Sequence, residues 1–215
     1  MQALQKLANP AVLGLTSFGL TTILLNLHNA GLFGQDVAIL AMGIFLGGIA
    51  QIIAGIMEFK KGNTFATTAF IAYGSFWLTL VFIIIFKPGL LAWHVGGKAL
   101  LALEQTNRGF AWYLALWGLF TLFMTVGTFR VNRVLQFTFI SLTVLFCLLV
   151  IHFAWFSEPG DSAAVLKVAG IIGIICGSSA IYLAQAELWN EMYGKTILPI
   201  WPVGEREAYK RPEDL

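Results

Sequence analysis

Six apolar runs dominate the chain, separated by short polar stretches. They fall at roughly 10–30, 37–58, 65–87, 109–129, 134–155 and 164–189. Each can form a membrane-crossing helix, which needs about 20 predominantly apolar residues. The pattern predicts an all-α membrane protein in which residues 1–200 form a six-helix transmembrane domain and 201–215 a polar tail. Connections are short except for 88–108, which holds Pro88-Gly89 and Gly96-Gly97. Ile197-Leu-Pro-Ile-Trp-Pro202 is expected to end the last helix at the membrane surface, with disorder beyond Gly204.

Composition agrees. The chain is 58% hydrophobic and 11% charged, with a mean hydropathy of +0.80, whereas soluble domains carry about 25% charged residues. A net charge of +2 is too small to suggest a nucleic-acid partner, and there is no basic run beyond Lys60-Lys61. Cys147 and Cys176 lie inside apolar runs and read as small buried hydrophobes, not as a disulfide or metal site. The first apolar run is too long for a signal-peptide core, and no clear cleavage site follows it, so it is expected to stay as the first span.

Six spans place both termini on one side. Lys6, Lys60, Lys61, Arg130, Arg133, Lys195, Arg206, Lys210 and Arg211 fall on that side, nine in all, against four (Lys87, Lys98, Arg108, Lys167) on the other. The positive-inside rule then predicts cytoplasmic termini. Trp93, Trp112, Trp155 and Trp201 near span ends fit an interfacial aromatic belt.

No Lys, Arg, Asp or Glu stands at mid-depth in any run, where a charge costs roughly 2.5–3.5 kcal/mol on insertion scales. Hydroxyls and amides stand there instead: Thr16, Ser17, Thr21, Thr22, Gln51, Tyr73, Ser75, Thr79, Gln136, Ser141, Thr143, Ser178, Ser179, Tyr182 and Gln185. Singly each reads as an interhelical or packing hydrogen bond. Together they suggest a polar internal path for a small solute held by neutral donors. Asn9-Pro10 is a helix-start signal whose positive dipole end could attract a carboxylate, or which simply caps the helix. Gly43, Gly47, Gln51, Ala54 and Glu58 share one face, as do Gly173, Gly177, Ala180, Ala184, Glu187 and Glu191; such faces either pack helices closely or line a cavity. Glu58, Glu187 and Glu191 lie near the cytoplasmic ends of their spans, placed to pair with Lys60, Lys61 or Lys195 or to relay protons. No catalytic or cofactor motif is present, and His28, His94 and His152 are isolated, so neither an enzyme nor a metal site is expected.

The stretch Asn9-Pro10-Ala11-Val12-Leu13-Gly14-Leu15 matches six of seven residues of the Asn-Pro-Ala-Pro-Leu-Gly-Leu signature of the acetate uptake transporter family, which includes bacterial succinate–acetate permeases. Thr22-Ile-Leu-Leu-Asn-Leu-His-Asn29, Ala41-Met-Gly-Ile-Phe45, Lys60-Lys-Gly-Asn-Thr-Phe65, Tyr73-Gly-Ser-Phe-Trp-Leu-Thr79 and Arg133-Val-Leu-Gln-Phe137 resemble the same family in order. Val12 departs from the signature, and a missing Pro leaves the first turn less rigid. The resemblance implies proton-coupled transport of acetate and succinate, without a cofactor, by a hexamer in the inner membrane with one path per subunit. It further implies an apolar constriction at Phe18, Tyr73 and Leu142; from pattern alone, Phe18 and Leu142 read as core. The expected path adds Asn9, Pro10, Thr16, Thr21, Gln51, Thr79, Gln136 and Tyr182, with Glu58 and Glu187 as a proton relay. The rival readings are a gated channel for formate, ammonia or urea, and a membrane component that transports nothing.

Overall fold

The computed structural model describes residues 8–85, 93–95, 98–101, 106–156 and 163–203. Six helices are long and apolar enough to cross a membrane. They are α1 (Pro10–Asn29), α2 (Val37–Lys60), α3 (Thr64–Ile85), α4 (Asn107–Thr128), α5 (Arg133–Trp155) and α6 (Ala163–Tyr193). The last runs past the expected end at 189. Residues 86–87 of the third apolar run and the tail from 204 lie outside the described residues.

Two local features depart from plain helix. The long connection, expected to be a loop, contains an antiparallel hairpin of β1 (Trp93–Val95) and β2 (Lys98–Leu101) with an irregularity between Trp93 and His94. In sequence, Gly96-Gly97 separates the strands, a dipeptide that hairpins favour. The second feature is a π-helical segment within α2, Gly43–Ala50. Gly43, Gly47 and Gly48 there lie against Val81, Trp77 and Leu78 of α3, closer than a Cβ would permit.

The helices form a ring in chain order. Each packs on its sequence neighbours, the α3–α4 seam being the lightest, and α6 packs along α1 to close the circle. That closure is a glycine contact. A Cβ built on Gly19 would lie 2.8 Å from the Gly177 carbonyl oxygen, and one on Gly177 would lie 2.8 Å from that of Gly19. A turn and more toward the other end, Gly173 leaves room for the side-chain amide of Asn26. The small-residue faces of α2 and α6 therefore serve mainly in helix packing.

The sides of the ring suit their surroundings. Phe45, Phe82, Leu116, Phe123, Ile140 and Ile171 point outward, as a lipid-facing surface requires. Cys147 is also exposed, whereas Cys176 is buried; an apolar run on a bundle facing lipid does not by itself imply burial. Phe18, Tyr73, Phe76, Phe139, Leu142 and Phe146 fill the interior.

Replacing Gly177 by Val should force α1 and α6 apart at a cost of about 1–3 kcal/mol or more. The detergent-solubilised variant is expected to melt at a lower temperature than the parent. Gly34→Ala, where nothing lies within 4 Å of the added carbon, should not.

Candidate functional site

The ring encloses a cavity of about 430 Å³ that opens at the end where α1, α3 and α5 begin. Each of those helices starts with an asparagine cap. Asn9 Oδ1 accepts from the Ala11 N–H at 3.2 Å, Asn63 Oδ1 from that of Ala66 at 3.2 Å, and Asn132 Oδ1 from that of Leu135 at 2.7 Å. All three asparagines line the cavity. Three helix N-termini, each with a partial positive charge, thus surround its mouth.

Two carboxylates are tied into this rim. Glu58 is completely buried. Its Oε2 accepts from Asn63 Nδ2 at 2.8 Å, and Lys61 Nζ stands 3.5 Å from its Oε1. Burial of an acid at that position depends on such partners. Lys61 Nζ also donates to Asn9 Oδ1 at 3.3 Å, and Asn9 Nδ2 donates to Glu187 Oε2 at 2.7 Å. Glu58 and Glu187 are therefore joined through Lys61 and Asn9. The sequence leaves Lys60, Lys61 and Lys195 open as partners; the structure pairs Lys61 with Glu58. Gly62, at φ +73°, ends α2 in the left-handed turn that brings Asn63 back to Glu58.

Deeper in, Leu15, Phe18, Tyr73, Phe139 and Leu142 line the cavity. The Phe18 and Tyr73 rings stand 6.0 Å apart, and Tyr73 also meets Phe120 and Phe139 edge-on. The Tyr73 O–H points away from this space and donates to Thr121 at 2.9 Å; Thr121 in turn donates to the Trp117 carbonyl at 2.7 Å. One turn along α3, Phe76 packs against Trp117, Tyr113 and Phe146. Phe76 lines a second cavity of about 210 Å³, with His28, Asn29 and Gln35, nearer the opposite end. Two aromatic layers, at Tyr73 and Phe76, thus stand between the cavities.

Of the residues expected from sequence, Phe18, Tyr73, Leu142, Asn9, Gln51 and Glu187 come together on the larger cavity. Gln51 Oε1 is buried there without a partner. Pro10 is buried behind Asn9. Thr16 faces a shallow outer groove with Val12, Leu13 and Leu188. Thr21 donates to the Ser17 carbonyl, and Thr79 to that of Phe76. Gln136 bridges Arg133 and the Thr128 carbonyl, while the Tyr182 hydroxyl reaches Pro199. None of these five (Thr16, Thr21, Thr79, Gln136, Tyr182) lines the larger cavity. Asn63, Asn132, Thr138, Asn190 and Ile200 line it but are not singled out by the sequence reading. Asn63 and Asn132 each precede a span, so the helix-start rule that marks Asn9 marks them too.

Residues 2–204 match the model of the GPR1/FUN34/yaaH family. The chain is 57% identical over 197 residues to the succinate-acetate/proton symporter SatP of Escherichia coli (strain K12), covering 91% of this chain and 96% of that protein. It is 31% identical over 208 residues to acetate permease A of Emericella nidulans, covering 91% of this chain and 66% of that one. Among solved structures, that of the bacterial acetate channel SatP superposes with a TM-score of 0.80 at 57% identity, covering 91% of this chain and 99% of the other. These relatives are described as a symporter, a permease and a channel, not as enzymes.

Tyr73→Phe should lose about 1 kcal/mol of stability, the usual net worth of one buried hydrogen bond. Thr121→Val should also lower the melting temperature. Combining the two is expected to cost less than their sum, because both remove the same bond; additive losses would show that the bond does not form.

Proposed function

The chain belongs to the GPR1/FUN34/yaaH family, and on that premise we propose that it carries acetate and succinate across the inner membrane with a proton accompanying the substrate. The observation that carries this reading is the contrast between the mouth of the larger cavity and its inner end. At the mouth, helix N-termini favour a carboxylate, offset in part by Glu187 and Glu191 in the same lining. At the inner end stand Phe18, Tyr73 and Leu142, and the one hydroxyl among them already donates to Thr121. Among the described residues lining the cavity there is no Lys or Arg.

A bare carboxylate would enter that ring without donors to replace its water, at a cost far above that of a neutral polar group. The undissociated acid escapes most of this penalty. The proton therefore crosses the constriction with the substrate and, on uptake, is released in the larger cavity. Glu187 lies in the cavity wall on the mouth side and is the acid best placed to pass it on, with Glu58 joined to it through Asn9 and Lys61. The charge distribution supports cytoplasmic termini, so the larger cavity faces the cytoplasm. The same reading makes the protein a hexamer with one path per subunit, its outward apolar faces shared between lipid and neighbouring copies.

Uptake of labelled acetate into proteoliposomes tests this. It should saturate, speed up under an inward proton gradient and be inhibited by succinate. Flux that does not saturate, ignores the gradient and is blocked best by formate, ammonia or urea would favour a channel for another solute. Phe18→Ala should raise leak and weaken selectivity by about tenfold, the lower end of what apolar contacts discriminate. Unchanged flux and selectivity would remove Phe18 from the constriction.

A further inference from the structure

We propose that Ile200, carried across the cavity mouth by a folded-back strap, sets the size of carboxylate admitted; this rests on the transport reading above. The strap begins where α6 ends, at Gly194 with φ +64°. Asn190, in the last turn of α6, then grips it with three hydrogen bonds. Its Oδ1 accepts from the N–H groups of Ile197 at 2.6 Å and Leu198 at 3.1 Å, and its Nδ2 donates to the Leu198 carbonyl at 2.8 Å. The Tyr182 hydroxyl donates to the Pro199 carbonyl at 2.9 Å.

Beyond Ile200 the strap is held by a different part of the ring. The Arg133 N–H donates to the Trp201 carbonyl at 3.0 Å, the Val203 N–H donates to the Val131 carbonyl at 3.1 Å, and Pro202 bridges Asn132 in antiparallel fashion. The segment therefore links α6 to the α4–α5 connection, fixed at both ends. Trp201 has φ +48°, the one non-glycine among the described residues at positive φ. Such a backbone persists only where its surroundings impose it. This stretch is fixed on both flanks of one apolar side chain.

That side chain enters the cavity. Ile200 lines it with Val131 and Leu135, and it packs on the interior core. Polar residues of the same lining are Asn9, Asn63, Asn132, Asn190, Glu187 and Glu191. Ile200 offers no hydrogen bond to a carboxylate, so its effect on a substrate is steric. A branched residue there admits a two-carbon acid more readily than a four-carbon diacid. Shortening it widens the opening, and enlarging it narrows the opening further.

Uptake of labelled acetate and labelled succinate, measured side by side in proteoliposomes, tests the role. Ile200→Ala should raise the succinate-to-acetate uptake ratio about tenfold, as expected for lost apolar volume in a selecting contact, and Ile200→Phe should lower it. Tyr182→Phe, which keeps the ring but removes the tether to Pro199, should shift the ratio in the same direction as Ile200→Ala by a smaller factor. Should Ile200→Ala not fold, Tyr182→Phe and Ile200→Phe carry the test. Ratios unchanged in variants that still transport would overturn the role of Ile200 and leave the transport reading standing. Failure of the parent protein to move either acid would overturn the transport reading itself, and this role with it.

Discussion

The crossing of Gly19 and Gly177 is the contact on which the rest of the structure depends. Lipid is as apolar as the side chains that face it, so helices in a bilayer gain little by hiding from solvent and associate through close packing. Here the first and last helices must meet, or the cavity opens sideways to lipid. Two facing glycines let their backbones approach to a distance that any side chain forbids. α1 then brings Asn9, Leu15 and Phe18, and α6 brings Leu183, Glu187 and Asn190, to one shared wall. The glycines of α2 play the matching part against α3, which carries Tyr73 and Phe76.

Spans were legible because hydropathy and length decide them with little help from tertiary contacts. The polar path was less so, for a physical reason. A hydroxyl inside a membrane helix can return its proton to a carbonyl one turn earlier, and that bond costs the helix almost nothing. Thr21, Ser75, Thr125, Thr138, Ser141 and Thr143 all do so. A run of mid-span Ser and Thr is thus compatible with a dry interior, and counting them does not locate a path. Side-chain amides are sorted by place and not by type: Asn26 donates to the Thr22 carbonyl and accepts from Asn29, whereas Gln51, Asn9, Asn63, Asn132 and Asn190 line the cavity.

Other parts of the site were unequally readable. Asn9 announces itself through the following proline, whereas Asn63 and Asn132 obey the same capping rule without that flag. Phe18 and Leu142 are apolar residues in apolar runs, and nothing in their spacing separates a constriction from a core; their proposed role rests on resemblance to a family, and the structure places them on the cavity wall. Phe76 sits one turn from Tyr73 and was hidden by the same ambiguity. Ile200 was beyond reach, because its position depends on a chain reversal fixed by Asn190, Tyr182 and the 131–133 backbone, none of them its sequence neighbours.

On the proposed reading, mouth and barrier make opposite demands on one substrate. Three helix N-termini favour the ionised acid, while the layers at Tyr73 and Phe76 exclude it. The change of protonation state must therefore occur between Asn9 and Phe18, a stretch of little more than two helical turns on α1. Glu187 is bound to Asn9 at the outer limit of that stretch; Gln51 lines the same cavity, its Oε1 fully buried and without a hydrogen-bond partner. On that reading the rim and the apolar layers divide the work: the rim holds the ionised acid, and the layers at Tyr73 and Phe76 pass its neutral form.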